Sequence, residues 1–248
     1  MKLDIIIHSG IVMIGGSMSR FQSKNSQLSA VAFNIIKDEI LTLKLLPGQP
    51  IREKELTERL EISRTPIRSA IQQLTNEGFI EFHKTKGNLV SKLSVDHYLK
   101  IFDLREALEM VSIRLATQNW TKEDIEALEK EWREHNREVS KDVLDKEKIL
   151  MADVNFHDLI SKASKNELIQ VELKKVNEKF YRYNYLADTI LRSGKTNEEH
   201  KAIIEMIKTR NSTLAENMMA QHLYCVKNET LMKLLNQKIN FFEHTWSE

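Results

Sequence analysis

Apolar positions in the N-terminal third follow a helical spacing three times and then change to a strand-like pattern. They recur every three or four residues in segments 28–43, 51–60 and 67–74, which predicts three amphipathic helices. The stretch "FIEFHKTKGNLVSKL" (79–93) instead holds two short β-type runs around "KTKG", which predicts a hairpin with Gly87 in its turn. Helix, helix, tight turn, helix and hairpin in this order are typical of a winged helix-turn-helix.

The third helix has clear start and stop signals. If Ser63 is its N-cap, Pro66 lies in the first turn, where a missing N–H costs no intrahelical hydrogen bond. Gly78 supplies the C-terminal stop. Arg64 and Arg68 then lie one turn apart, near the N-terminal end and opposite the apolar face. In a helix-turn-helix this end enters the major groove, where arginine pairs with guanine or holds phosphate.

The remainder of the chain, from Ser94 onward, shows helical patterns and no strand signal. We therefore predict a mainly α protein in which a winged helix-turn-helix precedes an all-α bundle of about six helices. The predicted domains are a loosely ordered N-terminal extension (1–25), a DNA-binding domain (26–93) and an all-helical domain (94–240). The six predicted helices span 95–117, 121–139, 142–163, 166–188, 197–209 and 211–237.

Composition supports this reading without identifying a partner. The 248 residues suffice for two domains, and seven glycines with three prolines suit a helical chain. One cysteine fits a reducing compartment, and no run is long and apolar enough for a membrane span. Asp4 and His8 interrupt the short apolar N-terminus, so we expect a cytoplasmic protein without a signal peptide. Met13 and Met18 are plausible starts, which leaves open whether 1–25 belong to the native protein.

Basic residues flank the predicted recognition helix. Lys54 lies in the preceding helix, and Lys84 and Lys86 lie in the hairpin, where Gly87 allows close approach to DNA. Thr65 and the helix N-terminal amides favour a phosphate oxygen. Each residue alone could belong to an ordinary solvated surface. Their coincidence with the helix layout favours contact with DNA.

Four metal-capable side chains lie on apolar helix faces in the C-terminal half. Asp153 and His157 are four residues apart and so share one side of a helix. His200 begins a helix announced by the capping-box sequence "TNEE" (196–199), and His222 shares a face with Leu214, Met218 and Val226. Buried polar groups need partners, and one divalent cation would serve all four. Zn²⁺, Ni²⁺, Mn²⁺ and Fe²⁺ all suit this donor set, and Cys225 is either a fifth ligand or, more simply, a core residue.

The N-terminal domain resembles the winged helix domain of GntR-type bacterial transcription regulators. The shared motifs are "PG" (47–48), "SRTPIR" (63–68), "EG" (77–78) and the wing glycine. One departure is a lysine at the position where many members carry arginine, which loses bidentate geometry but retains a phosphate contact. The resemblance implies that operator DNA is contacted by Lys54, Arg64, Thr65, Arg68 and Gly87.

The C-terminal domain is similar to the FCD ligand domain of the FadR-like branch, and its helix count resembles the VanR-type subgroup. This resemblance implies a divalent metal held by Asp153, His157, His200 and His222, with a small carboxylate effector completing the coordination sphere. It also implies that Arg105, in "FDLREALEM" (102–110), assists the effector. An ion pair with Glu109 one turn later is a competing role for this arginine. Asn166 matches a family position as a helix cap.

These observations predict a homodimeric repressor that reads a two-fold symmetric operator and responds to a small organic acid. Two alternatives stay open. One is a metal-free regulator that senses an acyl ligand or only dimerises through its helical domain. The other is a metalloenzyme fused to a DNA-binding module. However, the sequence has no H-E-x-x-H or comparable motif that pairs a general base with metal ligands, and we interpret Glu198 and Glu199 as helix-start residues.

Overall fold

The computed structural model describes residues 24–189 and 193–236, and these confirm the mainly helical fold. The chain divides into two compact units between Lys92 and Leu93. The first contains α1 (Lys24–Leu41), α2 (Glu53–Leu60), α3 (Arg64–Asn76), β1 (Ile80–His83) and β2 (Gly87–Val90). The second contains α4 (Val95–Asn119), α5 (Lys122–Val139), α6 (Lys146–Ala163), α7 (Glu167–Ala187), α8 (Ser193–Lys208) and α9 (Ser212–Asn236).

The first unit is a winged helix-turn-helix. Helix α1 packs on α3, and the buried core between them includes Ile36, Ile40, Ile67 and Leu74. Strands β1 and β2 pair antiparallel, with His83 opposite Gly87 at the turn. The extended segment 48–51 lies beside β2 and pairs with it through backbone hydrogen bonds.

Helix α3 begins and ends as its sequence predicts. Ser63 is the N-cap residue, so Pro66 falls in the first turn. The helix ends at Asn76, and Gly78 follows with a φ of +79°, a left-handed conformation that favours glycine. The start of α3 therefore presents its first residues at the surface in a fixed orientation.

The second unit is a bundle of helices arranged around α4. Helix α4 packs on α6, α7, α8 and α9, while α5 packs on α6 and α8. An aromatic cluster of Tyr98, Phe102, Phe180 and Tyr183 fills the space between α4 and α7. Asn166 caps α7 by accepting hydrogen bonds from the amides of Leu168 and Ile169, as predicted. No helix in the described ranges is long and apolar enough to cross a bilayer.

Some of the predicted boundaries change. Helix α8 begins at Ser193, so "TNEE" lies inside the helix and is not a capping box. The predicted start at residue 197 was therefore wrong, and the glycine at 194 is accommodated within the first turn. Most of the proposed extension 1–25, with Met13 and Met18, lies outside the described residues, although α1 already begins at Lys24. Residues 237–240 of the predicted helical domain also lie outside them.

Candidate metal centre and nucleic-acid interface

The structure brings the four predicted metal ligands together. Asp153 and His157 come from α6, His200 from α8 and His222 from α9. One ligand atom from each lies within 4.8 Å of the others. The three histidines are at most 1% exposed. Ligand atoms on opposite sides of a transition-metal ion are about 4 Å apart at the usual metal–nitrogen distance of about 2.0–2.1 Å, so this spacing is close to that of a metal site.

Carboxylates outside the ligand set determine which ring nitrogens face the centre. His222 Nδ1 lies 2.8 Å from Glu199 Oε2, and His157 Nδ1 lies 2.8 Å from Glu109 Oε1. An ionised carboxylate only accepts, so the bond to Glu199 favours a proton on Nδ1 of His222. The contact of His157 with Glu109 favours the same tautomer, although it is not a well-aligned hydrogen bond. The Nε2 atoms of His157 and His222 then face each other at 3.3 Å as bare lone pairs. Two such lone pairs repel unless a cation lies between them.

Burial and charge set the protonation of the cluster. Burial, reinforced by the neighbouring rings of His222 and His157, holds the pKa of His200 well below its ordinary value. Burial also lowers the pKa of His222, although the bond to Glu199 opposes this. Burial alone would raise the pKa of Asp153, but the surrounding histidines and Arg105 hold it below its usual value. His200 and His222 are therefore favoured as neutral imidazoles and Asp153 as an ionised carboxylate, the forms that bind metal.

Arg105 lies beside Glu109, as the competing role in the sequence analysis anticipated. Its Nε atom is 3.5 Å from Glu109 Oε1, and both side chains are at most 2% exposed. The guanidinium lies 4.2 Å from the centre of the Phe180 ring. Burial raises the pKa of Glu109, but His157 and Arg105 outweigh it and hold the pKa below the usual range. Arg105 therefore serves as the counter-charge of a buried carboxylate in this structure.

A cavity adjoins Asp153 and is lined by residues from α5, α6, α7, α8 and α9. The space within it that the centre of a water molecule can occupy is about 40 Å³, which is enough for a few waters. His135 lines it, is 1% exposed, and has no hydrogen-bond partner for either ring nitrogen among the described residues. Further polar lining comes from Asn184, Thr189, Thr196, Glu229, Thr230 and Lys233.

Sequence reasoning did not place three residues at the centre, and it placed one residue of α9 on the wrong face. Glu109 was named only as a partner of Arg105, His135 was not proposed, and Glu199 was interpreted as a helix-start residue, whereas it lies inside α8 and contacts His222. Leu214 is exposed, so the buried stripe of α9 runs through Ala215, Met219 and Val226 instead. Cys225 is half-buried and is not part of the convergent group.

The predicted DNA-contacting residues of α3 lie on one exposed surface. Arg64, Thr65 and Arg68 are exposed at or near its N-terminus, opposite the buried Ile67 and Leu74. Arg64 has no ion pair or hydrogen bond within the described part of the chain. Arg68 is different, because its Nε atom lies 2.7 Å from Glu53 Oε2 of α2, while 67% of its side chain stays exposed.

The predicted flanking contacts are also at the surface of the winged unit. Lys54 is exposed on α2, and its Nζ atom lies 3.9 Å from Oε1 of Glu58. Lys84 and Lys86 are exposed in the hairpin turn. Gly87 has a φ of +74° and no atom within 4 Å of where a Cβ would lie, so its backbone conformation, not crowding, favours glycine.

Comparison with known families decides the class of the chain. The family model described as "FCD domain" matches residues 100–224, about half of the chain. The model described as "Bacterial regulatory proteins, gntR family" matches residues 28–90. The chain belongs to the GntR family of bacterial transcription regulators, in the FadR-like branch that carries an FCD domain. This GntR-family protein is therefore a DNA-binding transcription regulator and not an enzyme.

Individual relatives agree with this assignment. The regulator is 27% identical over 197 residues to the HTH-type transcriptional regulator YdhC of Bacillus subtilis (strain 168), covering 77% of this chain and 85% of YdhC. It is 24% identical over 211 residues to the HTH-type transcriptional repressor RspR of Escherichia coli (strain K12), covering 85% and 91%. The solved structure of E. coli McbR/YncC shares the fold, with a TM-score of 0.73, 19% identity and coverage of 84% and 98%.

Proposed function

We propose that this regulator is a homodimeric repressor whose helical domain holds a divalent metal ion and senses a small carboxylate effector through it. Asp153, His157, His200 and His222 are the ligands. The effector occupies an open coordination position, and its binding shifts the bundle between two packings, which changes DNA affinity. RspR is described as a transcriptional repressor, which supports repression as the mode of action. Such a protein acts on DNA in the cytoplasm of a bacterial cell.

The observation that carries the metal proposal is that the Nε2 atoms of His157 and His222 face each other at 3.3 Å. Nδ1 of His222 is hydrogen-bonded to Glu199, and Nδ1 of His157 lies 2.8 Å from the Glu109 carboxylate in a less well-aligned contact. Neither Nε2 can then donate to the other without an additional proton, and burial disfavours that charge. A divalent ion removes the repulsion and engages the remaining two ligands, Asp153 and His200, which already lie 3.5 Å apart.

Three imidazoles and one carboxylate leave the identity of the ion open among Zn²⁺, Ni²⁺, Mn²⁺ and Fe²⁺. A tetrahedral Zn²⁺ would be filled by the four protein ligands and would have to expand its sphere to accept an effector. An ion of higher coordination number has positions left for a carboxylate. Effector-induced spectral change at a substituted ion would therefore report direct coordination.

The effector enters from the cavity beside Asp153 in this proposal. The cavity combines the cation of Lys233 with hydroxyl and amide side chains, the unpartnered ring of His135 and the carboxylates of Asp153 and Glu229. Lys233 and the hydroxyl and amide groups suit a small acid that also carries hydroxyl or carbonyl groups. Arg105 assists indirectly, because it neutralises Glu109 and does not line the cavity.

The first unit binds DNA in this proposal. We assign residues 26–93 to the DNA-binding domain and residues 94–240 to the helical domain. The base-reading side chains in this proposal are Arg64 and Arg68, and Thr65 and Lys54 hold phosphates. Lys84 and Lys86 hold the backbone beside the wing, and Gly87 permits its close approach. Two copies of this unit in a homodimer match a two-fold symmetric operator. The six helices α4–α9 within the described residues also favour the VanR-type subgroup.

Metal analysis tests the central claim. After dialysis against metal-free buffer, the purified regulator should retain about one divalent ion per chain by elemental analysis. His200→Gln should lose it, whereas His83→Gln, a change at an exposed histidine of β1, should not. A wild-type protein without stoichiometric metal that also fails to take up Zn²⁺ or Ni²⁺ would refute the metal proposal.

Mutation of α3 tests the DNA proposal. Selection from a random duplex pool with the purified protein supplies an operator. Arg64→Ala and Arg68→Ala should each weaken its binding by about 5- to 150-fold, because a base-contacting arginine is worth about 1–3 kcal/mol. Arg133→Ala, which removes an exposed arginine from α5, is the matched control and should leave affinity unchanged. Unaltered affinity in both α3 variants would contradict the recognition-helix assignment.

A further inference from the structure

We infer that Glu109 and Glu199 are positioning residues for the metal centre, because each fixes the Nδ1–H tautomer of one ligand histidine and so directs that ring's Nε2 lone pair at the ion. This inference deepens the proposed function and rests on it for the metal. The tautomers themselves are properties of the metal-free protein. No ligand role is assigned to either glutamate, and neither belongs to the convergent group of four.

Glu199 holds His222 through a short hydrogen bond. The distance from Nδ1 to Oε2 is 2.8 Å, and the glutamate side chain is 19% exposed while the histidine is 1% exposed. Glu199 directly precedes the ligand His200 on α8. One turn of α8 therefore supplies both a ligand and the group that orients a second ligand from α9. A shift of α8 relative to α9 would disturb two of the metal's bonds at once.

The contact between Glu109 and His157 is more deeply buried than that between Glu199 and His222. Both side chains are completely buried, and Nδ1 of the histidine lies 2.8 Å from Oε1 of the glutamate. The contact is bent, since neither atom makes a well-aligned hydrogen bond within the described residues. A bare Nδ1 lone pair at this distance from an anionic oxygen would be repelled, so the proton lies on Nδ1. Arg105, 3.5 Å from the same oxygen, offsets the buried negative charge.

The third imidazole is oriented in another way. Nδ1 of His200 has no hydrogen-bond partner among residues 24–189 and 193–236. Its ring instead stacks on Phe156 at 3.7 Å between centroids and 12° between planes. The contrast shows that a carboxylate behind a ligand ring is not a general feature of this cluster. It is specific to the two histidines whose Nε2 atoms oppose each other.

The test measures tautomers first and metal affinity second. In ¹⁵N-histidine-labelled, metal-free protein at pH 7.5, long-range ¹H–¹⁵N spectra should show His157 and His222 as Nδ1–H tautomers. Glu109→Gln and Glu199→Gln should each shift the corresponding ring towards a mixture, because an amide can donate as well as accept. Chelator competition should then give about 10- to 100-fold weaker Zn²⁺ and Ni²⁺ binding, the usual effect of losing such a partner.

Glu131→Gln is the matched control, because Glu131 is a partly buried glutamate of the same bundle that bonds to Asn155 and contacts no ligand. It removes the same charge and should change neither tautomers nor metal affinity. If Glu109→Gln does not fold, Glu199→Gln decides the matter, since Glu199 is partly exposed.

The outcomes separate the two proposals. Nε2–H tautomers at both rings in the wild type, or unchanged tautomers and affinity in a folded variant, would overturn the inference whether or not metal binds. Nδ1–H tautomers that depend on the glutamates, in a wild type that binds neither ion, would uphold the positioning role and refute the metal proposal alone.

Discussion

Replacing Glu53 with glutamine is expected to tighten operator binding, because it releases Arg68 for DNA. In the free protein Arg68 Nε lies 2.7 Å from Glu53 Oε2, with 67% of the arginine and 31% of the glutamate side chain exposed. An arginine that grips guanine or phosphate must exchange this partner for DNA. Glu53→Gln retains the shape of the side chain and removes the competing charge.

The size of the effect follows from the exposure of the pair. Exposed ion pairs contribute about 0.2–1 kcal/mol, and breaking one before binding costs that amount. Its removal should therefore lower the operator Kd by about 1.5- to 5-fold. Loss of a negative charge near phosphate adds a general, salt-dependent gain that has to be measured separately.

Glu55→Gln provides that measurement. Glu55 lies in the same first turn of α2 and pairs with Arg52 at 2.9 Å, so its replacement removes the same charge and the same helix-dipole interaction. Fluorescence anisotropy with a labelled operator at several salt concentrations should show a larger gain for Glu53→Gln than for Glu55→Gln. Equal gains, or weaker binding by Glu53→Gln, would mean that Glu53 does not compete with DNA for Arg68.

Two further predictions concern the helical domain. Arg105→Met should destabilise the metal-free protein by about 3–5 kcal/mol in urea unfolding, because it leaves Glu109 buried without a counter-charge; a loss below about 1 kcal/mol would indicate a neutral Glu109. Lowering the pH from 7.5 to 5.5 should also destabilise the metal-free protein, because burial lowers the pKa of His135, His200 and His222. Their stabilising contribution is complete above the unfolded pKa of about 6.5 and is lost progressively as the pH falls from that value towards the lower folded pKa values, so equal unfolding midpoints at the two pH values would contradict the reasoning.

The four proposed ligands could be predicted to lie close together because each occupies an apolar face of its helix. A histidine or aspartate on an apolar helix face is unusual, and Asp153 with His157 at i and i+4 already defines one side of α6. His200 and His222 stand out on buried stripes in the same way. Side-chain chemistry and helical periodicity together are sufficient here, because each helix has one face that must be buried.

The supporting glutamates were harder to predict because glutamate is common on exposed helix faces. Glu199 sits in "TNEE", which looks like a capping box, and only the earlier start of α8 places it inside the helix. The spacing of Arg105 and Glu109 predicted their ion pair, but it did not predict the contact of Glu109 with His157. Arg105 and Glu109 continue the buried stripe of Tyr98 and Phe102 along α4, and charged residues on such a stripe imply a buried pair. His135 lies on a strongly charged helix, and only its packing against α6 and α8 reveals its burial.

The arrangement of the bundle explains how one ion can influence the whole helical domain. The ligands come from α6, α8 and α9, each of which packs on α4, and α4 itself contributes Glu109. An ion held this way links four helices through bonds whose directions depend on fixed tautomers. An effector that changes the coordination acts on all of these helices together, and it shifts the bundle only by the difference in its affinity for the two packings. A typical coupling of about 1–3 kcal/mol is equivalent to about 5- to 150-fold in DNA affinity.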